Sequence, residues 1–203
     1  MSTANKDASV IAASVPKLAA SVAANDLVVP DELVLEDYDA TLAGSPHRWC
    51  DYEIGERIDH VDGMTIEEAE HMTATRLYQN TAKGHFDQRL AAASRFGRRL
   101  IYGGHVISMA RALSFNGLAN AFKIAAINAG SHTNPTLAGD TIYAWSEVKE
   151  KAEIARRDDI GALRLRTVAV KNATPSAFPD KAADGKADPS VVLDLDYWVL
   201  MPR

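Results

Sequence analysis

Cysteine is almost absent from the chain, which has one such residue, Cys50, among 203. A single thiol excludes a disulfide within the chain and any zinc site built from several cysteines. Basic residues are not in excess either, because 22 lysines and arginines stand against 27 aspartates and glutamates, a net charge of −5. That balance argues against a dedicated nucleic-acid-binding protein, which would normally show a basic face.

Long apolar runs are missing as well. No stretch approaches the roughly 20 apolar residues needed to cross a bilayer. The first ten residues, MSTANKDASV, lack the basic start and apolar core of a secretory signal. We therefore expect a soluble, cytoplasmic protein with no membrane partner. The length of 203 residues, with 47% hydrophobic residues, is sufficient for one domain with a proper core.

Aromatic residues are absent before Tyr38. The preceding segment is rich in alanine, serine, valine and aspartate, and Pro16 and Pro30 interrupt it. Such a segment has little to bury against the entropy cost of ordering it. We predict that residues 1–35 form a flexible tail or linker-like segment and that residues 36–203 form the folded domain.

Helical periodicity fills the first part of the predicted domain, after a short strand signal between residues 52 and 64. Thr65 and Glu68 have the spacing of a capping box, at the start of a helix that we expect to end near residue 79. A second short helix is predicted over residues 85–93. A longer helix is predicted from Gly103-Gly104 to Asn116-Gly117. Its apolar residues recur at helical spacing: Val106, Met109, Ala110 and Leu113.

Strand periodicity follows in four segments: 122–128, 141–148, 163–170 and 191–200. Their alternation of apolar and polar residues indicates an antiparallel sheet that is covered on one face. The insert over residues 172–189 is polar, contains three prolines and is predicted to be a mobile surface loop. A sheet wrapped around one central helix accommodates this order with short connections, which predicts an α+β architecture, the hotdog fold.

Three short segments carry residues with chemical potential. Asn80 and His85 lie five residues apart across a predicted loop, which can direct both side chains into one space. The backbone N–H groups of Gly104 and His105, at the start of the long helix, favour developing negative charge. The segment 134–140, Asn-Pro-Thr-Leu-Ala-Gly-Asp, is a tight entry into a strand that can flank a ligand tunnel.

Each segment also has a purely structural interpretation. A loop histidine such as His85 is more often exposed or hydrogen-bonded, and His105 on a core helix is more often a satisfied buried group. Paired glycines can serve only to bring a helix close to a sheet. The remaining histidines lack metal-ligand spacing, so we predict no metal site: His47, His60, His71 and His132.

Taken together, the segments resemble a known hydratase signature. MaoC-like and (R)-specific enoyl-CoA hydratases carry the pattern D-x-N-P-x-H-x(5)-A, in which the aspartate and the histidine activate water. Asn80 stands at the aspartate position, His85 at the histidine position and Ala91 at the closing alanine. Ala82 and Lys83 replace the asparagine and the proline of the pattern.

A wider resemblance covers roughly residues 27–203 and is distributed over nearly every predicted element. Six stretches are similar to the C-terminal half of the mesaconyl-CoA hydratase family, also called β-methylmalyl-CoA dehydratases: IDHVDGMTIEEAEHM, TRLYQNTAKGHF, RFGRRLIYGGHVIS, LSFNGLANAF, AGDTIYAWSEV and VVLDLDYWVLMPR. The resemblance implies a lyase that reversibly adds water to mesaconyl-CoA to give β-methylmalyl-CoA. We expect no cofactor, with the CoA thioester as the substrate.

The resemblance also implies roles for the site residues. His85 would be the base for water, because histidine exchanges protons near neutral pH. Asn80 cannot ionise, so it would orient the water or the imidazole. The N–H groups of Gly104 and His105 would hold the thioester oxygen.

Charged residues complete this set of candidates. Arg95, Arg98 and Arg99 form either a solvated face or a site for the CoA phosphates. Lys83 is the candidate for the distal carboxylate of the substrate.

Members of that family are about twice as long, with two hotdog halves in one chain. Since a hotdog sheet leaves an unpaired edge, we expect this chain to form a homodimer or to pair with a second hotdog half. Three other functions stay open: a hydratase of another short-chain 2-enoyl-CoA, a thioesterase, and a non-catalytic half-subunit that needs a partner. The thioesterase would need a carboxylate near the helix start, and GGHVIS contains none.

Overall fold

A single antiparallel sheet organises the structure, a computed structural model that describes residue 17 and residues 19–203. Its strands are β1 (Arg57–Asp59), β2 (Met64–Thr65), β3 (Lys123–His132), β4 (Thr141–Glu153), β5 (Ile160–Lys171) and β6 (Val191–Pro202). The strand order is β1-β4-β5-β6-β3, and β2 pairs with the other end of β4. The strands β1 and β3 therefore lie at opposite edges of the sheet.

The helices lie between β2 and β3 in the chain. They are α1 (Glu68–Leu77), α2 (Gln88–Ala92), α3 (Gly103–Leu113) and the short α4 (Phe115–Leu118). A 3-10 turn over Lys83–His85 separates α1 from α2. Among the described residues, no helix has both the length and the apolar character needed to span a membrane.

The helix α3 lies in the concave face of the sheet and contacts β4, β5 and β6. Its four predicted core residues are all buried: Val106, Met109, Ala110 and Leu113. Burying a valine, methionine or leucine side chain contributes about 1.5–3 kcal/mol. The wrapping of the sheet around this one helix confirms the predicted hotdog fold.

Helix starts differ from the sequence prediction. Thr65 does not cap α1, because it lies in β2, where its hydroxyl is 2.8 Å from the hydroxyl of Thr141. The helix predicted over residues 85–93 is shorter, since α2 begins only after Asp87. The Asp87 carboxylate accepts the N–H of Leu90 at 3.0 Å, which is a local cap that the sequence prediction overlooked.

The N-terminal segment corrects the predicted tail. Residues 22–35 pack on the outer face of the sheet, where their apolar side chains cover Ile160 and Trp198. The indole N–H of Trp198 donates to the carbonyl of Val22 at 3.0 Å. The prediction of a flexible segment up to residue 35 is therefore wrong for residues 22–35, and residues 1–16 and 18 lie outside the described residues.

The insert over residues 172–189 also packs on the outer face of the sheet. The indole N–H of Trp145 donates to the carbonyl of Pro179 at 3.1 Å, and the Phe178 ring packs edge-on against that indole. The guanidinium of Arg166 bonds the carboxylates of Asp180 and Asp194 at 2.6 and 2.7 Å. These contacts anchor the segment that we predicted to be a mobile loop.

A buried histidine ties the far end of α3 and α4 to the sheet. His60 is fully buried, its Nδ1 lies 2.6 Å from the carbonyl oxygen of Asn116, and its Nε2 lies 2.8 Å from the hydroxyl of Ser146. Because a carbonyl can only accept, Nδ1 carries the proton and Nε2 accepts from the serine. Burial lowers the pKa of His60 to about 4, so the ring is neutral at pH 7.

This low pKa predicts acid-sensitive stability. Between about pH 6.5 and pH 4 the unfolded chain binds a proton at His60 that the folded chain does not, so the free energy of unfolding falls as the pH falls. The loss assigned to this one residue is about 2 kcal/mol at pH 5. Urea unfolding of His60→Gln at pH 7.5 and pH 5 should show a pH dependence smaller by that amount. The exposed His47→Gln should behave as wild type, and an unchanged pH dependence in His60→Gln would contradict the assignment.

Candidate active site at the start of α3

A cavity of about 370 Å³ lies between the start of α3, the turn that carries His85 and the end of β3. Twelve residues line it: His85, Arg95, Phe96, Leu100, Ile101, Gly103, Val106, His132, Thr133, Asn134, Pro135 and Thr136. The predicted loop histidine and the start of the core helix therefore face the same space. The segment 134–140 contributes its first three residues to the wall.

His85 is held by one ring nitrogen, and the other ring nitrogen has no hydrogen-bond partner in the part of the chain that the structure describes. Its Nδ1 lies 3.0 Å from the carbonyl oxygen of Leu100, and a carbonyl oxygen can only accept a hydrogen bond. The neutral ring therefore carries its proton on Nδ1, which leaves the lone pair of Nε2 available. The backbone of Leu100 returns the contact, since its N–H donates to the carbonyl of Gly84 at 3.2 Å. This two-way link fixes the imidazole relative to the cavity.

Asn80 supports the turn rather than the imidazole in this structure. Its Oδ1 accepts the N–H of Ala82 at 2.8 Å, and the carbonyl of Ala82 accepts the backbone N–H of His85 at 3.0 Å. The N–H of Asn80 donates to Thr75 at the end of α1. Within the described residues no hydrogen bond joins the Asn80 amide to the His85 ring. Asn80 thus positions His85 through the backbone.

The first peptide of α3 directs a free N–H outward. The carbonyl of Tyr102 accepts the N–H groups of His105 at 2.9 Å and of Val106 at 3.4 Å, so it points along the helix. In a trans peptide the following N–H, that of Gly103, points the opposite way. Gly103 lines the cavity, and the N–H groups of Gly103 and Gly104 have no partner among the described residues. An oxyanion in the cavity would find its donors here.

The predicted pair of oxyanion donors, Gly104 and His105, is therefore only half available. The N–H of His105 is used within the first turn, and its side chain lies in a different groove, between α1 and α3. Gly103, which the sequence prediction did not select, is the glycine that reaches the cavity wall.

Both glycines are needed because other side chains approach closely. A Cβ atom at Gly103 would collide with the imidazole of His132, and one at Gly104 would collide with the ring of Tyr102. Only glycine allows these contacts without displacing a ring. At Gly103 this close approach brings the start of α3 against the end of β3, and at Gly104 it involves the ring of the preceding residue, Tyr102.

His132 is a cavity residue that sequence reasoning discarded. It ends β3, and its ring packs against Gly103. Burial and the proximity of His85 lower the pKa of His132, which favours its neutral form. No spacing along the chain connects residues 85 and 132, because they meet only when β3 is placed beside β6 at the edge of the sheet.

The four basic residues predicted to bind substrate lie in different environments. Arg95 lines the cavity, and its guanidinium lies 4.5 Å from the centre of the Phe96 ring. Arg98 donates to the carbonyl of Ala138 at 2.9 Å. Arg99 forms an ion pair with Glu68 at 2.7 Å and is largely buried, so it is committed to the fold. Lys83 is exposed and lies outside the cavity lining.

Comparison with known proteins identifies the family. The sequence profile of the mesaconyl-CoA hydratases matches residues 3–182. The chain is 64% identical over 192 residues to the mesaconyl-CoA hydratase of Cereibacter sphaeroides, covering 95% of this chain. It is 62% identical over 189 residues to the β-methylmalyl-CoA dehydratase of Chloroflexus aurantiacus, covering 93%. The chain belongs to the mesaconyl-CoA hydratase family.

The chain spans about half the length of these curated relatives, 54% of each. A crystal structure of a MaoC domain protein dehydratase from Chloroflexus aurantiacus matches with a TM-score of 0.88 and 62% identity. The match covers 93% of this chain and 54% of that one. The resemblance inferred from the sequence is thereby confirmed, and so is the hotdog fold.

The close packing at α3 gives a direct test of the cavity geometry. Gly103→Ala should displace the His132 ring or the helix start, and such overpacking typically costs about 1–3 kcal/mol. The imidazole proton resonances of His132 and His85 should shift in an NMR spectrum. Gly84→Ala is the matched control, because its Cβ would meet nothing within 4 Å. Unchanged histidine resonances and unchanged stability in Gly103→Ala would contradict the described packing.

Proposed function

We propose that this chain provides the water-activating half of a lyase that reversibly adds water to mesaconyl-CoA to give β-methylmalyl-CoA. One observation carries the proposal: the free Nε2 of His85 and the outward N–H of Gly103 belong to residues that line one cavity. Hydration of an enoyl thioester needs a base for water and donors for the developing enolate oxygen, and these two groups supply them. Membership of the mesaconyl-CoA hydratase family supports the choice of substrate.

The proposed step uses His85 as both base and acid. Its Nε2 takes a proton from water while the water oxygen bonds to the carbon β to the thioester. The electron pair of the double bond moves toward the thioester oxygen, where the N–H groups of Gly103 and Gly104 stabilise the negative charge. The imidazolium then returns the proton to the α carbon as the enolate collapses. Because the ring that deprotonates the water also returns the proton, the hydroxyl group and the proton add to the same face of the double bond.

Asn80 has a supporting role in this proposal. Family members of the MaoC type carry an aspartate at this place in their signature, whereas the amide of Asn80 cannot take up or release a proton. Its bond to Ala82 holds the turn that carries His85. Asn80 therefore takes no part in proton transfer, and His85 is the base for water in this proposal.

Arg95 is our proposed contact for the CoA phosphates. It is the one predicted arginine that lines the cavity, and an arginine fork suits phosphate oxygens. Arg98 and Arg99 shape the neighbouring loops through Ala138 and Glu68. A CoA thioester as substrate agrees with the cytoplasmic location expected from the sequence.

The cavity also gives a reason for assembly. Among the described residues, strand β3 pairs with β6 on one side only and lies at the edge of the sheet, where Ile124 and Ile127 are exposed. An edge strand ten residues long is an open site for a further strand. Because His132 ends β3 and lines the cavity, a partner paired along β3 would lie beside the site. We propose a second copy or a second hotdog half as that partner.

The base is tested by His85→Ala. Loss of general base catalysis should lower the turnover of mesaconyl-CoA by roughly 10²–10⁴-fold, measured by the loss of enoyl-thioester absorbance. Binding of a CoA ester should persist, because the cavity and its amides remain. His47→Ala, an exposed histidine, serves as the control. Turnover that is unchanged in His85→Ala would remove this residue from the role. Crotonyl-CoA run in parallel distinguishes a preference for another short enoyl-CoA.

Asn80→Asp separates positioning from acid–base chemistry. Aspartate can accept the N–H of Ala82 as the amide does, so the turn should persist. Equal or higher turnover would indicate that the amide only substitutes for the acid as an acceptor. A turnover reduced as far as in His85→Ala would contradict a supporting role for the amide.

The edge strand is tested by charge. Ile127→Glu places a carboxylate on the exposed edge of β3 and should convert a dimer into species of about 22 kDa in sedimentation equilibrium. Ile54→Glu is the matched control, because Ile54 is also exposed and lies next to β1 at the opposite edge. A wild-type monomer that hydrates mesaconyl-CoA without a partner would overturn the proposed assembly.

A further inference from the structure

His71 is a fully buried histidine on α1 that the proposed reaction does not use. Its Nε2 accepts the backbone N–H of Tyr102 at 2.8 Å. Because a backbone N–H can only donate, Nε2 holds a lone pair, and the proton of the neutral ring lies on Nδ1. That Nδ1 is buried and has no hydrogen-bond partner among the described residues. The ring therefore makes its one directed contact at the start of α3.

Tyr102 is the residue that aims the cavity amides. It is the N-cap residue of α3, and its side chain makes no capping hydrogen bond to the helix. Its carbonyl is held by the first turn through His105 and Val106, and its N–H is held by His71. Because both its N–H and its carbonyl are hydrogen-bonded, the two backbone dihedral angles of Tyr102 are restrained. These hydrogen bonds set the direction of the N–H of the next residue, Gly103.

The surroundings keep His71 neutral, which is the form whose Nε2 can accept the N–H of Tyr102. Burial and the neighbouring His105, His85 and Arg99 lower its pKa to about 4, and only Glu68 opposes them. The His105 ring lies 6.1 Å away on α3, and His85 lies on the turn that faces the cavity. Arg99 is locked beside it by the ion pair with Glu68. At neutral pH the lone pair of Nε2 is therefore present.

We propose that His71 is a positioning residue, whose Nε2 fixes Tyr102 so that the N–H of Gly103 points at the thioester oxygen. This role rests on the proposed hydratase function. His71 lies outside the cavity lining, so it acts through Tyr102 and not on substrate. Its loss should lower kcat more than it raises KM, because donors aimed at the transition state matter little in the ground state.

Two substitutions of His71 distinguish the loss of its hydrogen-bond acceptor from the loss of its side-chain volume. Gln places an oxygen near the position of Nε2 and can accept the N–H of Tyr102, whereas Met fills similar volume without a strong acceptor. His71→Met should lower kcat by about 10–100-fold, in the range that a misaimed group costs, with KM within about threefold. His71→Gln should retain kcat within about threefold of wild type. Equal losses in both variants, or no loss in His71→Met, would overturn the proposal.

His60 supplies the matched control at the other end of α3. It is equally buried and is also bonded to backbone, at Asn116, but it is remote from the amides of Gly103. His60→Met and His60→Gln should lower the unfolding temperature yet leave kcat within about twofold, when assayed well below each midpoint. If kcat fell as far in His60→Met as in His71→Met, the effect of His71 on kcat would be one of general stability, and the positioning role would be overturned.

Hydrogen exchange of the Tyr102 amide tests the contact without activity. The amide should exchange slowly in wild type and His71→Gln and faster in His71→Met. A wild type that does not hydrate mesaconyl-CoA, either alone or with a second hotdog half, yet shows this pattern, would contradict the proposed function while keeping the contact. An active wild type whose Tyr102 amide exchanges freely would contradict the role of His71.

Discussion

The hydrogen bond from Nδ1 of His85 to the carbonyl of Leu100 is the constraint on which the site depends. It decides which ring nitrogen keeps a lone pair and which direction the imidazole faces. The carbonyl belongs to the segment that leads into α3, so the His85 ring and the amides of the helix start are positioned by the same few residues. The N–H of Ile101 donates to Thr136 at 2.9 Å, which joins this segment to the cavity wall after β3.

The rest of the fold serves to hold α3 in place. The apolar stripe of the helix is buried in the sheet, and a neutral histidine contacts each end: His71 at its start and His60 near its C-terminal end. The outer face of the sheet is covered by residues 22–35 and by the 172–189 insert. The central strands β4, β5 and β6 are thus covered, whereas β3 stays largely exposed, and its edge is the surface that we assign to a partner. The cavity lies beside that edge.

Local patterns allowed the fold to be predicted. The stripe from Val106 to Leu113 and the alternation in the strands report burial through the periodicity of nearby residues, so helix and sheet were found within a few positions. The tail prediction was wrong because the partner of Val22 is Trp198, 176 residues away. Thr65 was misassigned because strand pairing with Thr141 outweighed capping.

The candidate site was predictable to a similar extent. His85 and the helix start stood out because the loop spacing and the paired glycines are visible in the sequence. Gly103, His132 and His71 were missed, since each gains its role from a neighbour brought in by tertiary structure. A histidine on a helix or at the end of a strand has no local signal that separates a core group from a site group.

A crystal structure of the protein with a saturated analogue, methylsuccinyl-CoA, would show whether the His85 ring and the helix amides meet one thioester. We expect the thioester oxygen about 2.7–3.2 Å from the N–H nitrogen of Gly103 or Gly104, with Nε2 of His85 beside the β carbon. A thioester bound elsewhere, or an imidazole whose Nε2 faces away from the ligand in every subunit, would contradict it.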